Sequence, residues 1–74
     1  MAQDVGVILG TMFREKRLKL GHTFDYMHRN YNIDPASLSE IEHGKIKNPS
    51  ALLVKRITTG LRIPIQDVFD MIPL

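Results

Sequence analysis

The chain predicts an all-α fold of five short helices, and three observations carry that expectation. Apolar residues recur at helical spacing in five separate stretches, and nowhere do they alternate with polar ones over the length of a strand. Residues that start and stop helices punctuate those stretches: Thr23, Asp34-Pro35 and Ser50 before them, Gly21 and Gly44 after them. The 74 residues leave room for one core only, so the whole of 1–74 is expected to form a single domain.

The first helix is expected from Val5 to Leu20, with Leu9, Phe13, Arg17 and Leu20 on one face. Gly6 and Gly10 each cost about 1 kcal/mol against alanine inside a helix, so its first turns are expected to fray. Gly21 ends it. Thr23 is a good N-cap for a second helix, Phe24 to Asn30. Asn30-Tyr31-Asn32 reads as a turn, because asparagine tolerates the left-handed backbone that most residues avoid. Asp34 caps a third helix and Pro35 suits its first position; the helix runs to His43 and stops at Gly44. Lys45 to Asn48 form a loop. Pro49-Ser50 opens a fourth helix, Ala51 to Gly60, with Val54, Ile57 and Leu61 on one side. Pro64 starts a fifth, Ile65 to Ile72, whose Ile65, Val68, Phe69 and Ile72 have helical spacing before Pro73 ends it.

A hydrophobic content of 43% is ordinary for a folded domain and argues against disorder. A domain this small is marginal alone, and a dimer interface would strengthen it. The absence of cysteine excludes disulfides and thiolate metal sites and suits a cytoplasmic location. His22, His28 and His43 do not share one helix at ligand spacing, so no metal and no cofactor is expected. Val5 to Phe13 is apolar but too short to cross a bilayer, and no basic residue precedes it as a signal peptide requires. No nucleophile–base set and no glycine-rich phosphate loop is present, so an enzyme is not expected.

The net charge of +2 is unevenly spread. Arg14, Lys16, Arg17 and Lys19 crowd the first helix. Asp25, Asp34, Glu40 and Glu42 dominate the middle, with Arg29 alone against them. Lys45, Lys47, Lys55, Arg56 and Arg62 follow with no acid among them. Positive charge thus flanks the third helix, in the way that attracts phosphate.

The string Gly21-x-Thr23 … Ile33-Asp34-x-x-Ser37-Leu38-Ser39-x-Ile41-Glu42-x-Gly44-Lys45-x-x-Asn48-Pro49-Ser50 resembles the Cro/cI-type DNA-binding domain, the lambda repressor-like XRE family. The likeness continues through Leu61-x-Ile63-Pro64 to Phe69, and backwards through Phe13-Arg14-x-x-Arg17, covering residues 9–70. It implies a compact five-helix domain with a helix-turn-helix at about 23–44. The family's core positions fall on Met27, Tyr31, Ile33, Leu38 and Ile41. The resemblance also implies a buried ion pair between Arg17 and Glu42.

Several contact positions depart from the family. Phe24 stands where glutamine is usual, His28 where alanine lets two helices cross, and Asn32 where glycine forms the turn. Pro35 and Ala36 replace polar or basic residues early in the third helix, and Glu40 stands where a polar or basic residue is common.

On this likeness, the third helix is expected to lie in the major groove of double-stranded DNA. Pro35, Ala36, Ser37, Ser39 and Glu40 are the base-edge candidates. Serine donates or accepts, glutamate accepts from cytosine N4, and Pro35 and Ala36 can touch a thymine methyl. Thr23, Phe24, Lys45, Lys47 and Asn48 are the phosphate candidates. Phe69, Met71, Ile72 and Leu74 extend apolar character to the end of the chain and are candidates for a homodimer interface. A two-fold dimer reads a palindromic operator with half-sites ~34 Å apart. The expected function is a dimeric, repressor-like transcriptional regulator. The alternative is a protein-interaction module on the same fold, of antitoxin or anti-repressor type, supported by the acidic third helix, Phe24 and the apolar tail.

Overall fold

The computed structural model describes residues 4–46 and 48–71. All regular structure among them is helical: α1 (Val5–Leu20), α2 (Phe24–Tyr31), α3 (Pro35–Glu42), α4 (Ala51–Leu61) and α5 (Ile65–Met71). α1 packs on α3, α4 and α5, and α2 packs on α3 and α4.

Capping sets most of the boundaries. Asp4 Oδ1 accepts from Gly6 N at 2.8 Å, Thr23 Oγ1 from Tyr26 N at 3.0 Å, Asp34 Oδ2 from Ser37 N at 3.1 Å and Ser50 Oγ from Leu53 N at 3.1 Å. Each satisfies a backbone donor that the first turn of a helix leaves without a partner. α1 and α3 stop with paired Schellman bonds around left-handed Gly21 and Gly44. α4 closes the same way around Arg62, at φ 57°.

Gly6 and Gly10 are not points of fraying. Gly10 faces the end of α3 and Gly6 the loop that follows it, and at both backbone approaches backbone. A Cβ on Gly6 would lie 2.7 Å from the carbonyl oxygen of Ile46. One on Gly10 would run into the carbonyl of Ile41 and sit 3.0 Å from that of Glu42. The cost of glycine to the helix is offset by a closeness that no side chain would permit.

Three boundaries move from the sequence expectation, and the first is that of α3, which ends at Glu42 with His43 as its C-cap rather than its last helical residue. α2 runs through Tyr31, which leaves residues 32–34 as the turn. Its ring lies against α4 at Gly60, where a Cβ would be 2.8 Å from Tyr31 Cδ2, so packing holds Tyr31 in the helix. α4 likewise runs past Gly60 to Leu61, whose side chain is fully buried.

The core gathers Leu9, Phe13, Met27, Ile33, Leu38, Ile41, Ile57, Leu61 and Val68, so every helix and the α2–α3 turn contribute. Ile33 is the buried turn residue. It pins the connection from the inside while Asn32 and Asp34 face solvent.

Candidate nucleic-acid interface

The α2–α3 connection is tight because each of its three residues has a separate task. Asn32 takes the left-handed conformation at φ 54° and donates its N–H to the His28 carbonyl. Ile33 fills the core. Asp34 caps α3 through one carboxylate oxygen, which accepts from both the backbone N–H and the hydroxyl of Ser37, the latter at 2.9 Å. Two side chains clamp the turn from outside. His28 Nδ1 donates to the Ile33 carbonyl at 3.2 Å, and Arg56 of α4 donates to the Asn32 carbonyl at 3.3 Å.

α3 is oriented by its inner face. Leu38, Ile41 and Glu42 are buried. Glu42 retains only 1% of its side-chain surface and Arg17 of α1 retains 12%. The two meet as a bidentate pair: Arg17 Nε donates to Oε2 at 2.7 Å and a terminal nitrogen donates to Oε1 at 3.1 Å. The other terminal nitrogen of Arg17 donates to the His22 carbonyl at 2.9 Å, so one guanidinium ties together α1, the α1–α2 link and α3. Its flat face lies over the ring of Phe24, with the central carbon 4.4 Å from the ring centroid.

Phe24 is therefore half-buried under Arg17 rather than an exposed anchor. Its ring has nothing to offer a phosphate. Only its backbone N–H, at the first position of α2, faces the end of the helix where an anion is favoured. Thr23 is exposed beside it.

With its inner face fixed, α3 turns a stripe outward. Ala36, Glu40 and His43 are exposed and follow one another at four- and three-residue steps. Pro35 and Ser39 flank the stripe and are half-buried. The Ser37 hydroxyl is engaged as a donor to Asp34, which leaves it as an acceptor. His43 is the residue sequence reasoning passed over as a candidate here. It caps α3, its Nδ1 donates to the Ser39 carbonyl at 2.7 Å, and its step from Ala36 and Glu40 was the signal that could have found it.

The bonds that close α3 also aim the following loop. Gly44 N donates to Ile41 O and Lys45 N to Glu40 O. This sets Lys45 three residues past the end of α3, exposed, with Asn48 exposed further along the loop. Among the described residues, the ion pairs are Arg17–Glu42 and Arg29–Asp25, so Glu40 and Lys45 stand unpaired. Lys47, Ile72 and Leu74 lie outside the described residues. Of the other apolar candidates near the end of the chain, Phe69 is 61% exposed and Met71 47%.

No grouping of histidine, aspartate and glutamate able to hold a metal ion occurs among the described residues, and no described helix is long and apolar enough to cross a membrane. Comparison with known proteins finds no matching family model, no matching curated protein and no matching solved structure.

Proposed function

We propose that the chain is a sequence-specific double-stranded DNA-binding regulator of the lambda repressor-like kind, in which α2 and α3 form a helix-turn-helix. The observation that carries this reading is the fixed inner face of α3. The Arg17–Glu42 pair and the glycine contacts hold the helix rigidly while Ala36, Glu40 and His43 stay exposed, flanked by Pro35 and Ser39. A fixed helix with an exposed outer stripe, followed by an exposed lysine, suits a major groove and its phosphate backbone. In this reading Lys45, Lys47, Asn48 and the α2 N-terminus at Thr23 and Phe24 hold phosphates. Pro35, Ala36, Ser39, Glu40 and His43 meet base edges, with Ser37 available as an acceptor. Phe69 and Met71 of α5, with Ile72 and Leu74 beyond, join two copies on a palindromic operator.

Selection of binding sites from random duplex DNA tests the proposal. An enriched palindrome is expected, with affinity that falls steeply with salt as counterions are released. Lys45→Glu/Lys47→Glu is expected to abolish the enrichment. Absence of any enriched sequence at low salt would sink the reading.

One observation favours a second reading, a protein-interaction module on the same fold. The outer stripe of α3 carries Glu40 and neither lysine nor arginine, so the helix itself repels phosphate. The discriminating result is Glu40→Lys. Tighter binding to any duplex with no gain in selectivity would show that α3 was not reading bases.

A further inference from the structure

The side of α1 turned away from α3 bears a surface that the DNA-binding reading does not use. At about 100° per residue, Gly6, Gly10, Phe13 and Arg17 share the half of the helix facing α3. Ile8, Thr11, Met12, Glu15 and Lys19 share the other half. That half forms one wall of a groove of about 480 Å³. The facing wall is the α4–α5 junction, Arg62-Ile63-Pro64, together with Asp67 and Met71 of α5.

The groove combines two characters. Ile8, Met12, Ile63 and Met71 make it apolar, and Lys16, Lys19 and Arg62 bring three cations against the carboxylates of Glu15 and Asp67. None of these five charged groups belongs to an ion pair among the described residues. From Ile8 to Lys19 the wall is about 16 Å long, the length of three helical turns.

We propose that this groove receives an amphipathic helix of about three turns from a partner protein, apolar on one side and acidic along its flanks. Apolar side chains at successive turns enter between Ile8, Met12 and Ile63, and the flexible thioethers of Met12 and Met71 adjust to their shape. Carboxylates on the flanks meet Lys16, Lys19 and Arg62. Three cations against two carboxylates leave the groove one positive charge in excess, which favours an acidic partner over a basic one, and the length of the wall favours a helix over a compact ligand. Since the groove and the outer stripe of α3 lie on opposite sides of the molecule's longest helix, partner and DNA can bind together.

The test titrates the isotope-labelled full chain with a capped peptide of about 12 residues, leucines at helical spacing and glutamates elsewhere. A version with lysine for glutamate is the second probe. The expected result is saturable movement of the Ile8, Met12, Ile63 and Met71 amide signals with the acidic peptide alone. Lys16→Glu/Lys19→Glu should weaken it about tenfold, while Lys45→Glu leaves it unchanged. Both lysines are surface groups, and a melting curve on the variant checks that it folds. Movement confined to α3 or to the Phe69 side of α5, equal binding of the basic peptide, or no saturation by roughly 1 mM overturns the proposal. So does movement of the Ile8, Met12 and Ile63 signals on dilution alone, which would assign the groove to a second copy of the chain; movement of Met71 alone on dilution belongs to the dimer contact proposed for α5. Duplex binding by the Lys45→Glu variant reports separately on the DNA reading.

Discussion

Where α1 meets α3, backbone lies against backbone and a carboxylate is sealed in with its guanidinium. Where α1 meets α5, Val68 alone of the shorter helix is buried, and Ile65, Phe69 and Met71 are 47–61% open to solvent. The first contact admits one arrangement, because neither the glycines nor the ion pair tolerates a shift. The second admits many, because exposed apolar side chains constrain nothing until something covers them. A domain that presents α3 to a partner needs rigidity at the first place, whereas the second is free for assembly. The two contacts should therefore respond very differently to substitution.

The largest effect is expected at the ion pair. Arg17→Met leaves the Glu42 carboxylate buried without its partner and should destabilise the fold by about 3–5 kcal/mol, read by chemical denaturation. Glu42→Gln should cost less, because Arg17 keeps its bond to the His22 carbonyl and some access to water. The double variant Arg17→Met/Glu42→Leu should recover much of the loss, since an apolar pair needs no desolvation of charge. If Arg17→Met melts with the unaltered chain, the α1–α3 contact is not held by this pair.

Next comes the glycine contact. In an open helix interior Gly10→Ala would gain about 1 kcal/mol from propensity. Against the carbonyls of Ile41 and Glu42 the added methyl forces backbone to move, and overpacking of this kind costs about 1–3 kcal/mol. The net sign decides which effect wins, and a loss of stability is expected. A gain would mean that α1 and α3 stand further apart than described.

The turn should respond less. Asn32 holds φ at 54°, where alanine pays the left-handed penalty of about 1–2 kcal/mol and glycine pays none. Asn32→Ala should lower stability by roughly 1 kcal/mol and Asn32→Gly by little, measured on the same denaturation axis.

The same contrast explains what could be read from the sequence. Thr23, Asp34, Gly21 and Gly44 act locally, through caps and left-handed ends, and local chemistry is written in adjacent residues. The resemblance likewise implied Leu38 and Ile41 of α3 as core positions, and both are fully buried. The sequence misled at Gly6 and Gly10, whose meaning depends on carbonyls about thirty to forty residues away. Phe24 was read as a phosphate neighbour, or as support for a protein-binding surface, because nothing near it in the chain announces that Arg17 covers it. Arg56 was counted only as charge, although it also holds the turn of another helix pair. Around α3, the caps and the turn were legible and the exposed position of His43 was not, since which residues point outward follows from how α3 is clamped.

The smallest effect on the monomer is expected at α5. Phe69 is 61% exposed, so Phe69→Ser removes little buried surface and should change the stability of a dilute sample by no more than about 0.5 kcal/mol. Concentration is the lever that distinguishes an idle surface from an interface. A two-subunit fold gains stability by mass action, so its melting temperature climbs with protein concentration. The unaltered chain should show that climb and Phe69→Ser should lose it, with the two curves meeting at high dilution. A melting temperature independent of concentration in both would remove α5 from any dimer. It would leave Phe69 and Ile65 as solvent-facing residues of a monomer, and any palindrome recovered from DNA selection would then need another surface to bring two copies together.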